Sequence, residues 1–377
     1  MPTPIRVFHL CDKFGIRGAR THGVSRLFSW WFPRFDPAEF DLRLIGIRPA
    51  DDASAYLERQ GLTPVCLGRH RFSPRLATDL LALVRRDRPH ILHAHGYATA
   101  NYARAIGLVT GVRIIVHEHT AFPTIPGYQQ AADRLLARCA DLGIAVSAST
   151  REFMIRRRAF RADRVRVVFN GAPLDEFRRR GADASRSQRT GLGMAADDVV
   201  IGTVGRLDHQ KGMTYFLQAA AHVHRLRPRT RFVVAGDGHL MEEHRAEARA
   251  LGIADRTTFT GFCENVPALL SALDLQVFPS LWEGTPLTVF EAMAMGLPMV
   301  STMVDGLAEV LRHRENALLV PPRDPNALAA GMLELVDDPA LAARLGARAE
   351  QDSRRFDVSA TVRELEVIYR ELAGARP

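Results

Sequence analysis

The sequence predicts a parallel α/β protein built from two doubly wound domains. Three observations lead there. The chain has 377 residues, too many for one ordinary domain and enough for two that each bury a core. Short β-branched runs alternate with longer amphipathic segments, the pattern of strands joined by helices in a parallel sheet. That alternation stops in a polar run and then restarts.

In the first half, Ile5–Leu10, Asp41–Gly46, Ile91–His95, Ile114–His117, Leu142–Val146 and Val165–Phe169 read as strands. Gly23–Phe32, Arg75–Arg86 and Gln130–Cys139 read as helices between them. The run Arg178–Thr190 is polar, with Gly, Ser and Arg and no periodicity, and reads as a linker. The second set of strands is Val199–Val204, Arg231–Ala235, Thr257–Thr260, Leu275–Phe278, Met299–Ser301 and Ala317–Val320. The end of the chain is helical and charged, with a break near Phe356-Asp357. The expected domains are therefore 1–178 and 190–357, with a last helix over 358–377. Paired doubly wound domains bind ligands at the carboxyl ends of their strands, so the cleft between them is the expected site.

Composition narrows the class. An apolar fraction of 47% and a charged fraction of 24% are those of a globular protein. No run reaches the roughly 18 apolar residues of a membrane-spanning helix. The N-terminus reads as a first strand and not a secretory signal. The four cysteines have no paired spacing, so free thiols in a reducing, cytoplasmic setting are expected and no zinc motif is present. The net charge of +8 suits anionic partners such as a nucleotide diphosphate or an anionic membrane. A solvated, arginine-rich surface gives the same number, and no nucleic-acid module is present.

The stretch Trp282–Val300 (WEGTPLTVFEAMAMGLPMV) carries the most chemistry. Pro286 opens a helix, Gly296 closes it and Pro298 bars its continuation. The amides of the first turn, near Thr285–Thr288, make an anion site, and Gly284 allows close approach of backbone. Glu291 sits among Phe290, Ala292, Met293, Ala294 and Met295, where a carboxylate needs a buried partner such as paired ribose hydroxyls. A helix-stabilising charge is the plainer alternative. In Thr203–Gly212 (TVGRLDHQKG) a strand runs into a glycine turn that carries Arg206 and Lys211. A planar fork and a point charge together can neutralise a leaving diphosphate without a metal, although surface charge on such a loop is common. Gly236 and Gly238 follow another strand, and the segment Phe259–Phe262 follows a third. His93 with His95, and His117 with His119, are strand-end pairs that face one way. No third ligand of suitable spacing is evident, so no metal site is expected.

The Glu283-x7-Glu291 spacing, with Gly-Thr-Pro-Leu inside it and Ala-Met-Ala-x-Gly-x-Pro after it, resembles retaining glycosyltransferases of family 4, also called group 1, which have the GT-B fold. The Gly-Arg-Leu…Lys-Gly run, the Pro-x-hydrophobic-hydrophobic-His-x-His run at Pro89–Gly96, and Asn170–Asp175 are similar to the same family. The resemblance is strong from Gly202 to Val300 and diffuse before Pro89. It implies two facing Rossmann-like domains, the last helix packing back on the first. It implies that Arg206 and Lys211 bind the diphosphate, that Glu283 orients the donor sugar, and that Glu291 grips the ribose. Gly284, Thr285 and the amides of Leu287 and Thr288 would meet the donor phosphates, with Gly236, Gly238 and Phe262 lining the nucleotide. His119, with His117 as alternative, would lie near the sugar. The family's Gly-Gly pair is here His22-Gly23, so only Gly23 carries over.

The expected activity is transfer of a sugar from a UDP- or GDP-linked donor to a hydroxyl acceptor, with retention and without a metal or other cofactor, in glycan, glycolipid or polysaccharide synthesis. The acceptor is open between lipid-linked and small soluble molecules. Phe28, Trp30, Trp31 and Phe32 among Arg26 and Arg34 would suit peripheral contact with the inner membrane face, or would pack on the sheet. A non-catalytic sugar-nucleotide or membrane-binding protein of the same fold is the rival class. A nicotinamide oxidoreductase lacks support, because no Gly-x-Gly-x-x-Gly follows either first strand with an acid at the right distance.

Overall fold

A computed structural model describes residues 3–15, 23–178 and 182–374, with nothing stated of the side chains of 182–184. Arg17, Arg20 and His22, singled out above, lie outside the described residues. The chain forms two compact units. Among the described residues the first holds those up to Asn170 together with those from Val358 onward, and the second holds 171–357.

The first unit contains strands β1 (Ile5–Cys11), β2 (Phe40–Gly46), β3 (Val65–Cys66), β4 (Ile91–His95), β5 (Arg113–Glu118), β6 (Leu142–Ala145) and β7 (Val165–Val167). Its helices are α1 (Gly23–Trp31), α2 (Asp52–Arg59), α3 (Pro74–Asp87), α4 (Tyr97–Thr110), α5 (Gly127–Leu136) and α6 (Ala148–Arg157). All pairings are parallel, in the order β3-β2-β1-β4-β5-β6-β7. Strand periodicity gives this sheet two unlike faces. Phe8, Leu10, Leu92, Ala94, Ile114 and Val116 turn to one side and form a core with α3 and α4. The alternate positions turn histidines to the other side. The two-residue β3 was not anticipated, being too short to show a period.

The second unit contains α7 (Ala182–Gly191), β8 (Val199–Val204), α8 (Met213–Leu226), β9 (Thr230–Ala235), α9 (Met241–Ala250), β10 (Thr257–Gly261), α10 (Val266–Ser271), β11 (Leu275–Phe278), α11 (Leu287–Ala294), β12 (Met299–Thr302), α12 (Asp305–Val310), β13 (Leu318–Val320), α13 (Pro325–Asp337) and α14 (Pro339–Ser353). Its sheet is parallel, in the order β10-β9-β8-β11-β12-β13. One core joins Phe216, Leu217, Phe232, Val234, Val277 and Met332. The run expected to be a linker is largely helical, as α7. Low propensity is overridden there by tertiary contacts: Ser185 donates to the carbonyl of Ser271 at 2.6 Å, and Arg189 binds Asp274 at 2.6 Å and the carbonyl of Ala272 at 3.0 Å. The run therefore belongs to the second unit.

After a short 3-10 turn at Arg354–Phe356, helix α15 (Val358–Gly374) belongs to the first unit. Thr361 donates to the carbonyl of Phe169 at 2.9 Å, and Tyr369 is fully buried against the histidine face. No helix among the described residues is long and apolar enough to cross a membrane.

Candidate active site

In each sheet the strand order reverses once, and loops part at that point to leave a crevice. In the second unit the reversal lies between β8 and β11. The loop after β8 carries Arg206 and Lys211; the loop after β11 carries Glu283. Lys211 Nζ donates to Glu283 Oε1 at 2.5 Å, with both side chains largely buried. The same oxygen accepts from Ser280 Oγ at 2.8 Å, and Oε2 accepts from Gln210 Nε2 at 3.2 Å. Arg206 is held by Asp208 Oδ2 at 2.8 Å and donates to Gln210 Oε1 at 3.1 Å. The two cations are thus fixed by acids and not free to swing, the preorganisation that stabilisation of developing negative charge requires.

The loop after β9 closes one side. Gly205 donates to the carbonyl of Ala235 at 2.9 Å, Leu207 to that of Asp237 at 2.8 Å, and Gly236 to that of Gly261 at 2.9 Å. Gly236 and Gly238 therefore border the Arg206 loop, and the half-buried Phe262 follows Gly261 in the next strand's loop. From the other side comes the start of α12. The Glu283 amide donates to Asp305 Oδ2 at 3.2 Å. Burial raises the Asp305 pKa, and the nearby Glu283 charge raises it further. A side chain at Gly306 would place Cβ 1.6 Å from the carbonyl oxygen of Gly284, so only glycine lets these turns meet.

Helix α11 starts at Leu287 behind Pro286, with no side-chain cap and no acid in its first turn. Its leading amides lack intrahelical acceptors and face the open end of the helix. Gly284, Thr285, Leu287 and Thr288 stand at that end. Glu291, in the second turn, is fully buried.

In the first unit the reversal lies between β1 and β4. Gly23 opens α1 there, exposed. The crevice holds a carboxylate of the chain itself: Asp12 accepts from the amides of Ala98 at 3.0 Å and Thr99 at 2.7 Å, at the start of α4. Beside it, five histidines share one face. His9 pairs in register with His93, and His95, His117 and His119 follow on β4 and just along β5. Burial holds His9 down to about 3, and His93, His95 and His117 well below the ordinary imidazole value. His117 lies flat on Trp31, rings 15° apart, while His119 is half-buried at the strand end. The expectation that no third nitrogen ligand joins the pairs fails. The ring nitrogens of His9, His93 and His95, and those of His95, His117 and His119, lie within 4.8 Å of one another. Neighbouring strands supply the third ring, which spacing along one strand cannot reveal.

A sequence profile described as Glycosyl transferases group 1 matches residues 198–338, and one described as Glycosyltransferase Family 4 matches 17–176. The chain belongs to the family 4, or group 1, glycosyltransferases. This glycosyltransferase is 29% identical over 308 residues to the alpha-D-kanosaminyltransferase of Streptomyces kanamyceticus, across 77% of this chain and 79% of that protein. It is 26% identical over 273 residues to the UDP-Gal:alpha-D-GlcNAc-diphosphoundecaprenol alpha-1,3-galactosyltransferase of Escherichia coli, across 70% of each chain. Among solved structures, HepE of Anabaena in complex with UDP superposes with a TM-score of 0.83 at 20% identity, covering 97% of this chain and 100% of that one. The sucrose-phosphate synthase of Thermosynechococcus elongatus gives 0.83 at 21% identity, covering 98% and 100%. The fold is that of the GT-B glycosyltransferases.

Several side chains of this glycosyltransferase's site were not anticipated. Gln210, Ser280, Asp305 and Gly306 brace Glu283. Asp305-Gly306 after a strand was a readable turn signal; Gln210 and Ser280 gave none. The aromatics of α1 do not form a membrane face. Phe28 and Trp31 are fully buried and Trp30 nearly so, because the helix packs them on the histidine side of the sheet.

Proposed function

We propose that the chain transfers a sugar from a nucleoside diphosphate donor to a hydroxyl acceptor, retaining the anomeric configuration and needing no divalent metal. The observation that carries this is the Lys211–Glu283 pair and the held Arg206 beside the uncapped start of α11. A diphosphate there meets two cations and the leading amides of α11 near Leu287 and Thr288. Glu291 takes the ribose hydroxyls. Gly236, Gly238 and Phe262 border the nucleotide, and Gly284 and Thr285 the phosphates. Glu283, oriented by Ser280, Gln210 and Lys211, positions the sugar, and His119 hydrogen-bonds it. Departure of the diphosphate breaks the bond to the anomeric carbon. The acceptor oxygen attacks from the same face and passes its proton to a phosphate oxygen. UDP is favoured over GDP, since the HepE structure holds UDP and the E. coli relative is named for UDP-Gal.

The acceptor belongs to glycan, glycolipid or polysaccharide synthesis in the first reading. A small soluble acceptor is the second, favoured because burial of Phe28 and Trp31 removes the membrane-facing alternative for α1 and leaves its packing on the sheet.

The test is thermal stability with UDP, GDP, ADP and TDP, with and without EDTA, on wild type and Glu291→Ala. UDP should raise the melting temperature with EDTA present, and the variant should lose the shift. Equal shifts in the variant would displace the donor from this site. A shift abolished by EDTA would sink metal independence. Retention is read from the anomeric proton coupling of the product, and an inverted product rejects it.

A further inference from the structure

The acceptor oxygens around the Glu283 loop can be counted. An ionised carboxylate has two oxygens with about two lone pairs each, and it donates nothing. Glu283 Oε1 takes two hydrogens, from Lys211 Nζ at 2.5 Å and from Ser280 Oγ at 2.8 Å. Its Oε2 takes one, from Gln210 Nε2 at 3.2 Å. Asp305 is the opposite case. Its Oδ2 takes one hydrogen, from the Glu283 amide at 3.2 Å, and no other described residue donates to this carboxylate or forms an ion pair with it. One lone pair thus stays open on Glu283 and three on Asp305, including both of Oδ1. A sugar brings hydrogens in need of such acceptors, and most of the open capacity here lies on Asp305.

The backbone holds that carboxylate in place against its own preference. Asp305 has a φ of 33°, on the left-handed side that residues with a Cβ disfavour. Glycine would enter that region freely, and aspartate stands there instead. Its neighbour Gly306 packs against the Gly284 carbonyl, which fixes Asp305 beside the loop. Asp305 lies in the first turn of α12, yet its carboxylate takes no amide of that helix among the described residues. The strain therefore does not serve a helix cap. A side chain kept at a strained position beside a ligand loop points to a use for that side chain. Partial burial and the nearby Glu283 charge both work against its ionised form, and a hydrogen-bond donor at Oδ1 would stabilise that form.

We infer that Asp305 reads the donor sugar, its open Oδ1 accepting a hydrogen from a hydroxyl or amino group of the sugar ring while Oδ2 holds the Glu283 amide. This deepens the transfer reaction proposed above and rests on it. The two acids divide the work. Glu283, paired with Lys211, is largely satisfied within the protein and orients the sugar with what remains. Asp305 carries a charge that no described residue pairs, and it sets which sugar is preferred. It is a specificity residue and takes no part in breaking the bond to the diphosphate. Its loss should weaken the hold on the sugar and leave the hold on the nucleotide unchanged.

The experiment is calorimetric binding of UDP and of UDP-sugars to the full chain, as wild type, Asp305→Asn and Asp305→Gly. UDP-glucose, UDP-galactose and UDP-N-acetylglucosamine are the probes, and the one that binds wild type most tightly is carried through. Asn keeps an oxygen for the Glu283 amide and puts an NH2 where Oδ1 was. It should leave the UDP Kd within about twofold and weaken the UDP-sugar about tenfold, the worth of one hydrogen bond to a charged group. Gly removes the carboxylate and relaxes the backbone, and it should show the same selective loss. Equal losses of UDP and UDP-sugar affinity would make Asp305 a brace of the loop and overturn the role. A selective loss in Gly that Asn does not share would trace to a displaced Glu283 and overturn it as well. UDP-glucosamine set against UDP-glucose names the source of the hydrogen. A preference of about tenfold for the amine in wild type, absent in Asn, assigns an ammonium, and equal binding assigns a hydroxyl. If UDP does not bind wild type, the donor site itself falls. If UDP binds and neither variant changes the preference for the sugar, only the role of Asp305 falls.

Discussion

The two units share a doubly wound sheet and a strand-order reversal, yet they treat the crevice at that reversal in opposite ways. In the first unit the start of α4 is filled by the chain's own Asp12, which takes the amides of Ala98 and Thr99. A side chain at Gly96 would put Cβ 2.5 Å from Asp12 Cγ, so glycine is what admits that carboxylate. In the second unit the start of α11 has no acid in its first turn, and Glu283, in the loop before it, is bound to Lys211. The start of α4 is capped by a carboxylate of the chain and the start of α11 has no side-chain cap, and the difference lies in one aspartate.

The interiors differ too. The second sheet buries Phe232, Val234 and Val277, whereas one face of the first buries four imidazoles, with His119 half-buried beside them. The largest expected effect tests this contrast. Histidines held neutral by burial make the folded state bind fewer protons than the unfolded state below the ordinary imidazole pKa. Their stabilising contribution is complete above about pH 6.5 and is lost as pH falls from there toward the folded value, about 3 for His9. His9 should cost roughly 2 kcal/mol between pH 7 and pH 5, and burial of His93, His95 and His117 should act in the same direction. Acid titration followed by hydrogen exchange should therefore show the first unit opening before the second. Simultaneous opening, or opening of the second unit first, would break the contrast.

Next in size is Lys211→Ala, expected to lower kcat/KM for sugar transfer about 10²- to 10³-fold while leaving the acid-unfolding midpoint of the first unit unchanged. Steady-state kinetics read it, and a loss below tenfold would remove Lys211 from charge stabilisation. Tyr369→Phe should then cost about 1–3 kcal/mol in urea unfolding, because it strands the ring nitrogens of His9 and His93. A neutral result would show that the hydroxyl bonds contribute nothing. Smallest is Asp12→Ala, expected to cost about 1–2 kcal/mol through the uncapped α4 and to leave UDP affinity unchanged. A changed UDP affinity measured by calorimetry would mean that the two crevices are not so distinct.

Much of the second unit's site was legible in the chain. Glu283, Gly284, Thr285, Leu287, Thr288 and Glu291 occupy one loop and two helical turns, so their spacing alone places them together. Arg206 and Lys211 share a single turn in the same way. The period of the strands also shows that His93 and His95, or His117 and His119, face one side. Here local geometry suffices, because residues close in sequence have few ways to be arranged.

Tertiary structure decided the rest. Which strands lie beside one another is not written in any one of them, so His9 joining His93 and His95 emerged only from the parallel register of β1 and β4. Tyr369 reaches the same cluster from 276 residues beyond His93, on a helix whose own pattern says only that one face is apolar. Asp12 as the cap of α4, and Ser185 and Arg189 holding α7 in a helix its composition disfavours, are likewise contacts between distant segments. The sequence by itself determined the strands, their facing and the short-range grouping of Glu283 to Glu291, since these depend on bond geometry and periodicity. The filled crevice, the imidazole chain and the fate of the polar run depended on which surfaces burial brought together, and that is a property of the assembled sheets.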